Sequence, residues 1–125
     1  MKIDLLVTFS VTKEENPEAS RAKIEDILID GEDINMAYSH VRDKVWFTSK
    51  RIIAMDVQGL TGSKKEFKSF PYSKISSFSV ETAGTFDGDS DFKIWVSGVG
   101  VFEIKFRKSL NIKKVGKFLS EKVLN

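Results

Sequence analysis

Between Ile34 and Arg107, hydrophobic residues recur at alternate positions in seven separate segments. Such alternation indicates β-strands that have one buried and one solvent-facing side. The connections are short and contain turn residues, as in Ser97-Gly98-Val99-Gly100, so neighbouring strands are expected to be antiparallel. The segments are carried by Ile34/Met36/Tyr38, Val45/Phe47, Ile53/Met55/Val57, Phe67/Phe70 (the weakest), Phe78/Val80, Phe92/Ile94/Val96 and Phe102/Ile104/Phe106.

Helical patterns flank this alternating region on both sides. Asn16-Pro17-Glu18 is typical of a helix start and predicts a helix over residues 17–29, preceded by a strand-like segment over residues 3–11. After Asn111, one apolar stripe made by Ile112, Val115, Leu119 and Val123 predicts an amphipathic helix that needs a surface to pack on. We therefore divide the chain into an N-terminal extension (residues 1–28, a strand plus a short helix) and a domain (residues 29–125).

Composition excludes several classes of function. The 125 residues include no cysteine and one histidine, which removes disulfides, thiolate metal sites and a cysteine nucleophile. The net charge of +2 is too small to indicate a nucleic-acid partner. No apolar run is long enough for a membrane span, and no signal sequence is evident, so we expect a cytoplasmic protein. Nothing predicts a cofactor or a metal site.

Several motifs resemble the bacterial pleckstrin homology (PH) domain family. The resemblance covers about residues 29–124 and is most specific in the run from Val80 to Asp87. It implies a mainly β fold, namely a seven-stranded antiparallel, strongly bent barrel capped by the C-terminal helix. It also implies ring-like homo-oligomers and no catalytic activity. The remaining motifs are His40-Val41-Arg42-Asp43, Phe47-Thr48-Ser49-Lys50-Arg51-Ile52-Ile53, Asp56-Val57-Gln58-Gly59, Phe70-Pro71-Tyr72 and Ile94-Trp95-Val96-Ser97-Gly98.

The first hairpin of the domain carries candidate anion-binding residues. Arg42 and Lys44, with Lys50 and Arg51 nearby in sequence, are cations of the kind that grip phosphate oxygens. In lipid-binding relatives this hairpin contacts phosphoinositides, so an anionic membrane is the alternative partner. His40 and Asp43 weaken that alternative, because one is mostly neutral at pH 7 and the other is negative. A basic amphipathic C-terminal helix could lie on the same membrane, but its charged side is better explained by solvent.

Two tryptophans are candidates for a protein interface. Trp46 and Trp95 fall out of phase with the main apolar alternation, so we expect both to project from the outer side of the barrel. Exposed tryptophans beside lysines can stack nucleic-acid bases, but they are also enriched in protein interfaces. The modest net charge favours the interface.

An acidic run, Asp87-Gly88-Asp89-Ser90-Asp91, resembles the start of a calcium loop. The sixth position is Phe92 rather than glycine and the twelfth is Gly98 rather than glutamate, so the calcium-loop pattern fails. We interpret the three aspartates as a turn that is able to meet the basic clusters of another subunit. No catalytic residue is predicted, since His40 stands without a nucleophile motif. The sequence thus predicts a non-enzymatic domain that self-associates and binds proteins.

Overall fold

The seven alternating segments are strands in the computed structural model of the chain, which describes residues 5–125. Two further strands precede them, and one α-helix, α1 (Ile112–Val123), follows them. The prediction of a mainly β, PH-like fold with a C-terminal helix is therefore confirmed. The strands are β1 (Leu5–Val11), β2 (Lys13–Glu15), β3 (Ile34–His40), β4 (Asp43–Thr48), β5 (Arg51–Gln58), β6 (Lys64–Pro71), β7 (Ile75–Glu81), β8 (Asp89–Val96) and β9 (Gly100–Arg107).

The strands form two sheets that enclose the main core. One sheet has the order β2-β3-β4-β5-β6 and the other has the order β1-β9-β8-β7. Pairing within β3–β9 is antiparallel, as expected, whereas β1 runs parallel to β9. Only Thr12 separates β1 from β2, and its N–H donates to the carbonyl of Ser39 at 3.0 Å. Residues 5–15 therefore form one extended stretch that borders β9 in one sheet and β3 in the other.

Alternating side chains and α1 fill the space between the sheets. Rings from both sheets meet there, with the centroids of Tyr38 and Phe106 5.0 Å apart. From α1, Ile112, Val115 and Leu119 are buried, and the ring of Phe118 lies 6.1 Å from that of Phe47. The helix begins after Asn111, whose side-chain oxygen accepts a hydrogen bond from the Lys114 N–H at 3.1 Å. The amphipathic stripe thus caps the barrel, as predicted.

The helix predicted over residues 17–29 is wrong as a continuous element. The segment instead contains two single-turn 3-10 helices, Arg21–Lys23 and Glu25–Ile27. Of the residues expected to form one helical face, Ile24 is buried and Leu28 is half-buried, while Ala22 and Ile27 are exposed. The segment lies against the surface of a sheet, and Ile24 packs there. This packing outweighs the weak helical preference of the segment. The division of the chain at residue 28 stays a prediction.

A second, smaller core lies on the outer side of the five-stranded sheet. The segment between β2 and β3 covers this side, and Ile24 packs there with Ile34, Ala37, Trp46, Ile53 and Met55. Ile34 reaches the outer side because the register between β3 and β4 shifts between Ile34 and Met36. In β5 the main core receives Ile52 and Ala54, whereas the alternating set Ile53/Met55/Val57 faces outward.

Trp46 lies on the outer side of the barrel, as its phase predicted, but it is not exposed. Its exposed fraction is 0%, because Ile24 and its neighbours cover it. The indole N–H donates to the Ser20 hydroxyl at 2.9 Å. The expectation that Trp46 projects toward solvent is therefore wrong, and the ring is not accessible to a partner while this segment stays in place.

Candidate functional site

Arg42, in the turn between β3 and β4, and Lys44, near the start of β4, lie close together on the outer side of the five-stranded sheet. One guanidinium nitrogen of Arg42 donates to the carbonyl of Gly59 at 2.8 Å, which holds this turn against the loop between β5 and β6. The Lys44 ammonium bonds both carboxylate oxygens of Glu15 at 2.9 Å. The two predicted cations therefore border one surface, and Lys44 already has a partner from β2.

Lys50 and Arg51 lie at the opposite end of β4, at the turn that leads into β5, so the four predicted anion-binding residues do not form one site. Arg51 is committed to Glu32, with its Nε 2.9 Å from Oε2 and one Nη 3.0 Å from Oε1. The same Nη also donates to the carbonyl of Ile27. Arg51 thus anchors the segment that precedes β3, and its charge is neutralised there.

Glu32 has the least exposed carboxylate of the ion pairs in the described chain. Its side chain in the pair with Arg51 is 0% exposed, and it also accepts hydrogen bonds from the Thr48 hydroxyl at 2.6 Å and from the Ile29 N–H at 3.1 Å. Burial alone raises the pKa of this carboxyl, but the bonds from Arg51, Thr48 and Ile29 outweigh burial and lower the pKa. The carboxylate is therefore a structural anion, charged at neutral pH.

A cavity of about 380 Å³ opens on the outer side of the five-stranded sheet, beside Arg42 and Lys44. Lys23, from the first 3-10 helix, and Lys65, on β6, bring two further cations to it. Sequence reasoning did not place either residue beside Arg42 and Lys44, because Lys23 lies in a segment with no predicted contacts and Lys65 lies in the weakest strand pattern, where its charge was attributed to a solvent-facing basic surface. The remaining lining residues are Val41, Met55, Val57, Thr61 and Gly62.

The acidic run lies where the connection from β7 enters β8. Asp87 accepts a hydrogen bond from the Gly84 N–H at 2.8 Å, and Asp91 pairs with Lys105 at 3.3 Å. Hydrogen bonding to Asp91 raises the pKa of Lys105. Asp87, Asp89 and Asp91 border a polar depression of about 230 Å³ together with Glu81. Within residues 5–125, no cluster of three or more acidic or histidine side chains has an arrangement able to hold a metal ion.

Trp95 and His40 lie in different sheets and do not belong to one site. Trp95 is half-buried on β8, on the outer side of the four-stranded sheet, opposite Val101 of β9. His40 is exposed at the end of β3, and its Nδ1 shares a hydrogen bond with the Thr12 hydroxyl at 3.1 Å.

Among residues 5–125, no helix combines the length and apolar character needed to cross a bilayer.

Two sheets, seven consecutive antiparallel strands and a capping C-terminal helix define a PH-like domain. The chain belongs to the bacterial PH domain family, whose model matches residues 5–123. That match includes β1 and β2, which precede the region where the motifs had indicated the resemblance. The family assignment made from the sequence is thereby confirmed.

Relatives of known sequence and structure agree with this assignment. The chain is similar to the Bacillus subtilis uncharacterized protein YjqA, with 46% identity over 104 residues that cover 82% of this chain and 83% of YjqA. It is also similar to the uncharacterized protein YozO of the same organism, with 35% identity over 100 residues that cover 79% and 85% of the two chains.

Two solved structures share the fold. One is a DUF1696 family protein with a pleckstrin-homology domain from Shewanella loihica, with a TM-score of 0.81 and 36% identity over 88% of this chain and 95% of that one. The other is a pleckstrin homology domain from Shewanella amazonensis, with a TM-score of 0.72 and 38% identity over 89% and 90% of the two chains.

Proposed function

We propose that this chain is a non-enzymatic, cytoplasmic interaction module that assembles with copies of itself. The observation that carries the proposal is an unpaired strand edge. Within the described residues, β6 pairs only with β5 and is the last strand of its sheet. An eight-residue edge offers a row of backbone donors and acceptors to another chain. Phe67, in the middle of β6, is 37% exposed and adds an apolar contact.

Opposite charges on the two sheets indicate which surface of a second copy this edge would contact. Lys64, Lys65 and Lys68 lie on β6, whereas the acidic patch formed by Glu81, Asp87, Asp89 and Asp91 lies on the other sheet. A contact between the basic edge of one copy and the acidic patch of the next copy joins two different surfaces. Contacts of this head-to-tail kind generate closed rings when their rotation closes. The arrangement supports the ring-like assembly that the family resemblance implied.

The test is solution mass, measured by sedimentation over a range of protein and salt concentrations. We expect an assembly larger than a monomer that dissociates as salt rises, because salt screens exposed charge pairs. An Asp87→Lys, Asp89→Lys variant and a Lys64→Glu, Lys68→Glu variant should each be monomeric. Lys113→Glu, Lys117→Glu on α1 is the matched control and should assemble normally.

Mixing the two patch variants gives the sharpest result. In the mixture, each reversed patch meets a partner of opposite charge, so assemblies should form again. A wild-type monomer at tens of micromolar protein would contradict the proposal. So would patch variants that assemble as the wild-type protein does, because the contact would then lie elsewhere.

A further inference from the structure

The loop between β7 and β8 holds Phe86 out in solvent. Phe86 is 98% exposed. The Asp87 N–H donates to the carbonyl of Gly84 at 3.2 Å, and the Asp87 carboxylate accepts a hydrogen bond from the Gly84 N–H at 2.8 Å. Two hydrogen bonds therefore close a turn that has Thr85 and Phe86 at its tip.

Lys108, which follows β9, fixes the same loop from outside the turn. Its ammonium donates to the carbonyls of Gly84 and Thr85 at 3.0 and 3.2 Å. Its own N–H donates to the carbonyl of Gly88 at 2.8 Å. A Cβ on Gly84 would lie 2.9 Å from the Asp87 carboxylate, so the turn leaves no room for a side chain there. These contacts order the backbone of the loop, while the phenyl ring at its tip stays in water.

An ordered loop with an exposed aromatic ring is well suited to bind another surface. Removing a phenyl ring from water is favourable, and aromatic side chains are enriched at protein interfaces. A loop that is already ordered loses little conformational entropy when it binds. The few side chains that dominate the free energy of an interface combine these two properties. Phe86 therefore has the character of an anchor residue.

Phe67 on β6 is the aromatic residue that best matches Phe86. Among the exposed large apolar residues of the described chain, only these two are aromatic. Each lies in one of the two oppositely charged surfaces described above. Asp87 of the acidic patch follows Phe86, and Lys68 of the β6 edge follows Phe67. Apolar and charge complementarity therefore select the same pair of surfaces.

The position of Phe67 leaves it accessible to a second copy. Phe67 lies opposite Met55 in the pairing of β5 with β6, and Met55 belongs to the outer cluster. Residues directly opposite each other in an antiparallel pair have their side chains on the same side of the sheet. Phe67 is therefore on the outer side of the sheet, at its last strand, where the chain's own Phe86 does not cover it.

We propose that Phe86 is the anchor of the self-association contact and packs against Phe67 of a second copy, with Asp87 beside Lys68. This inference rests on the self-association proposed above and adds to it the apolar contact between the two charged surfaces. Charges increase the rate at which the surfaces meet in the correct orientation. Burial of the two rings slows the separation of the copies.

The first experiment measures assembly of Phe86→Ala by sedimentation over a range of protein concentrations. The variant should raise the dissociation constant at least about tenfold, because it removes the aromatic anchor and leaves every charge in place. Since Phe86 is exposed, its urea midpoint should equal that of the wild-type protein. The control is Val99→Ala, which removes an exposed apolar side chain from the opposite end of β8 and should assemble normally.

The second experiment locates the contact by crosslinking. The chain contains no cysteine, so single cysteines can be introduced without background. Thr85→Cys lies beside Phe86, and Ser69→Cys lies two residues after Phe67 on the same side of β6, so both rings are kept. One variant carries a tag that changes its size, and the mixture is treated with a short bismaleimide linker. We expect a crosslinked pair of one tagged and one untagged chain.

A head-to-tail contact also predicts that neither cysteine variant crosslinks to itself, and that Val99→Cys does not replace Ser69→Cys. A monomeric wild-type protein would contradict self-association, and this inference with it. If the wild-type protein assembles and Phe86→Ala assembles equally well, the anchor alone is overturned. Self-crosslinking of Thr85→Cys, or no crosslink in the mixture, would show that Phe86 does not pack against Phe67.

Discussion

The Trp46 indole N–H donates to the Ser20 hydroxyl at 2.9 Å, and both side chains are buried. This bond joins the segment before β3 to the outer side of the five-stranded sheet. Without this bond, the indole N–H would be a buried donor with no acceptor. In the described chain, every buried side-chain nitrogen or oxygen atom has a hydrogen-bond partner. The tryptophan that the sequence had suggested for a partner is thus used to hold the chain's own N-terminal segment.

Replacing Ser20 with alanine should destabilise the domain. The indole N–H would lose its acceptor in a buried position, which costs about 1–3 kcal/mol. Urea denaturation should show this loss as a lower midpoint with an unchanged slope. Ser109→Ala, at an exposed turn residue, is the control and should leave the midpoint nearly unchanged. A Ser20→Ala protein as stable as the wild-type protein would show that the bond contributes nothing.

Stability should fall in acid because of Glu32. Its pKa in the folded protein is below the ordinary value of 4.5, so the unfolded chain takes up the proton first as pH falls. The contribution is therefore fully present above pH 4.5 and is lost as pH falls through the folded pKa. Glu15 has a lowered pKa and should add to the effect, because its bonds with Lys44 and Ser39 outweigh the opposing influence of burial.

The measurement is the free energy of unfolding against pH for the wild-type protein and Glu32→Gln. The variant should be less stable at neutral pH and should lose less stability between neutral and acid pH. Glu25→Gln is the control, because Glu25 is exposed and no ion pair within residues 5–125 involves it. Parallel curves for the wild-type protein and Glu32→Gln would rule out this account.

Gly116 lies on the side of α1 that packs against β7. A Cβ at this position would be 2.9 Å from a methyl group of Val80. Alanine favours a helix over glycine by about 1 kcal/mol, but overpacking costs about 1–3 kcal/mol, so Gly116→Ala should be destabilising or neutral rather than stabilising. In the Gly116→Ala, Val80→Ala double variant the clash is absent. Its loss of stability should therefore be smaller than the sum of the losses in the two single variants. Additive losses would argue against the contact.

Removing residues 1–28 should prevent stable folding. The truncation would delete Phe9 and Val11 from the main core and Ile24 from the outer cluster, and it would open the edges of β9 and β3. Circular dichroism and gel filtration should show loss of cooperative unfolding and aggregation, as expected for exposed strand edges. A truncated protein that unfolds cooperatively near the wild-type midpoint would support the domain boundary at residue 28 instead.

Much of the fold could be predicted from periodicity, because most strands have one side that packs in the main core and another side that does not. Ile94 and Ile104 are fully buried, as the alternation predicts. Periodicity did not predict which side of β5 faces the main core, because Ile52 and Ile53 are both apolar and both buried. The outer side is covered by a segment whose own pattern is too short and irregular to indicate where it packs.

The candidate sites were harder to predict, since they depend on contacts between distant parts of the chain. Arg42 and Arg51 looked equivalent in sequence, yet Glu32 engages only Arg51. Lys23 and Lys65 are separated in sequence by strands β3, β4 and β5, and they line the same cavity only because the segment before β3 lies across the sheet. No local motif encodes such a meeting.

The parallel pairing of β1 with β9 has a consequence for how the chain acquires its structure. Among the described strands, β1 leaves the ribosome first and β9 last, so the earliest strand must wait for the latest before it can dock. Closing so long a loop makes contacts of this kind slow to form. During synthesis, Phe9 and Val11 therefore remain without their final neighbours until β9 has been made, and their apolar side chains stay exposed for longer than those of the later strands.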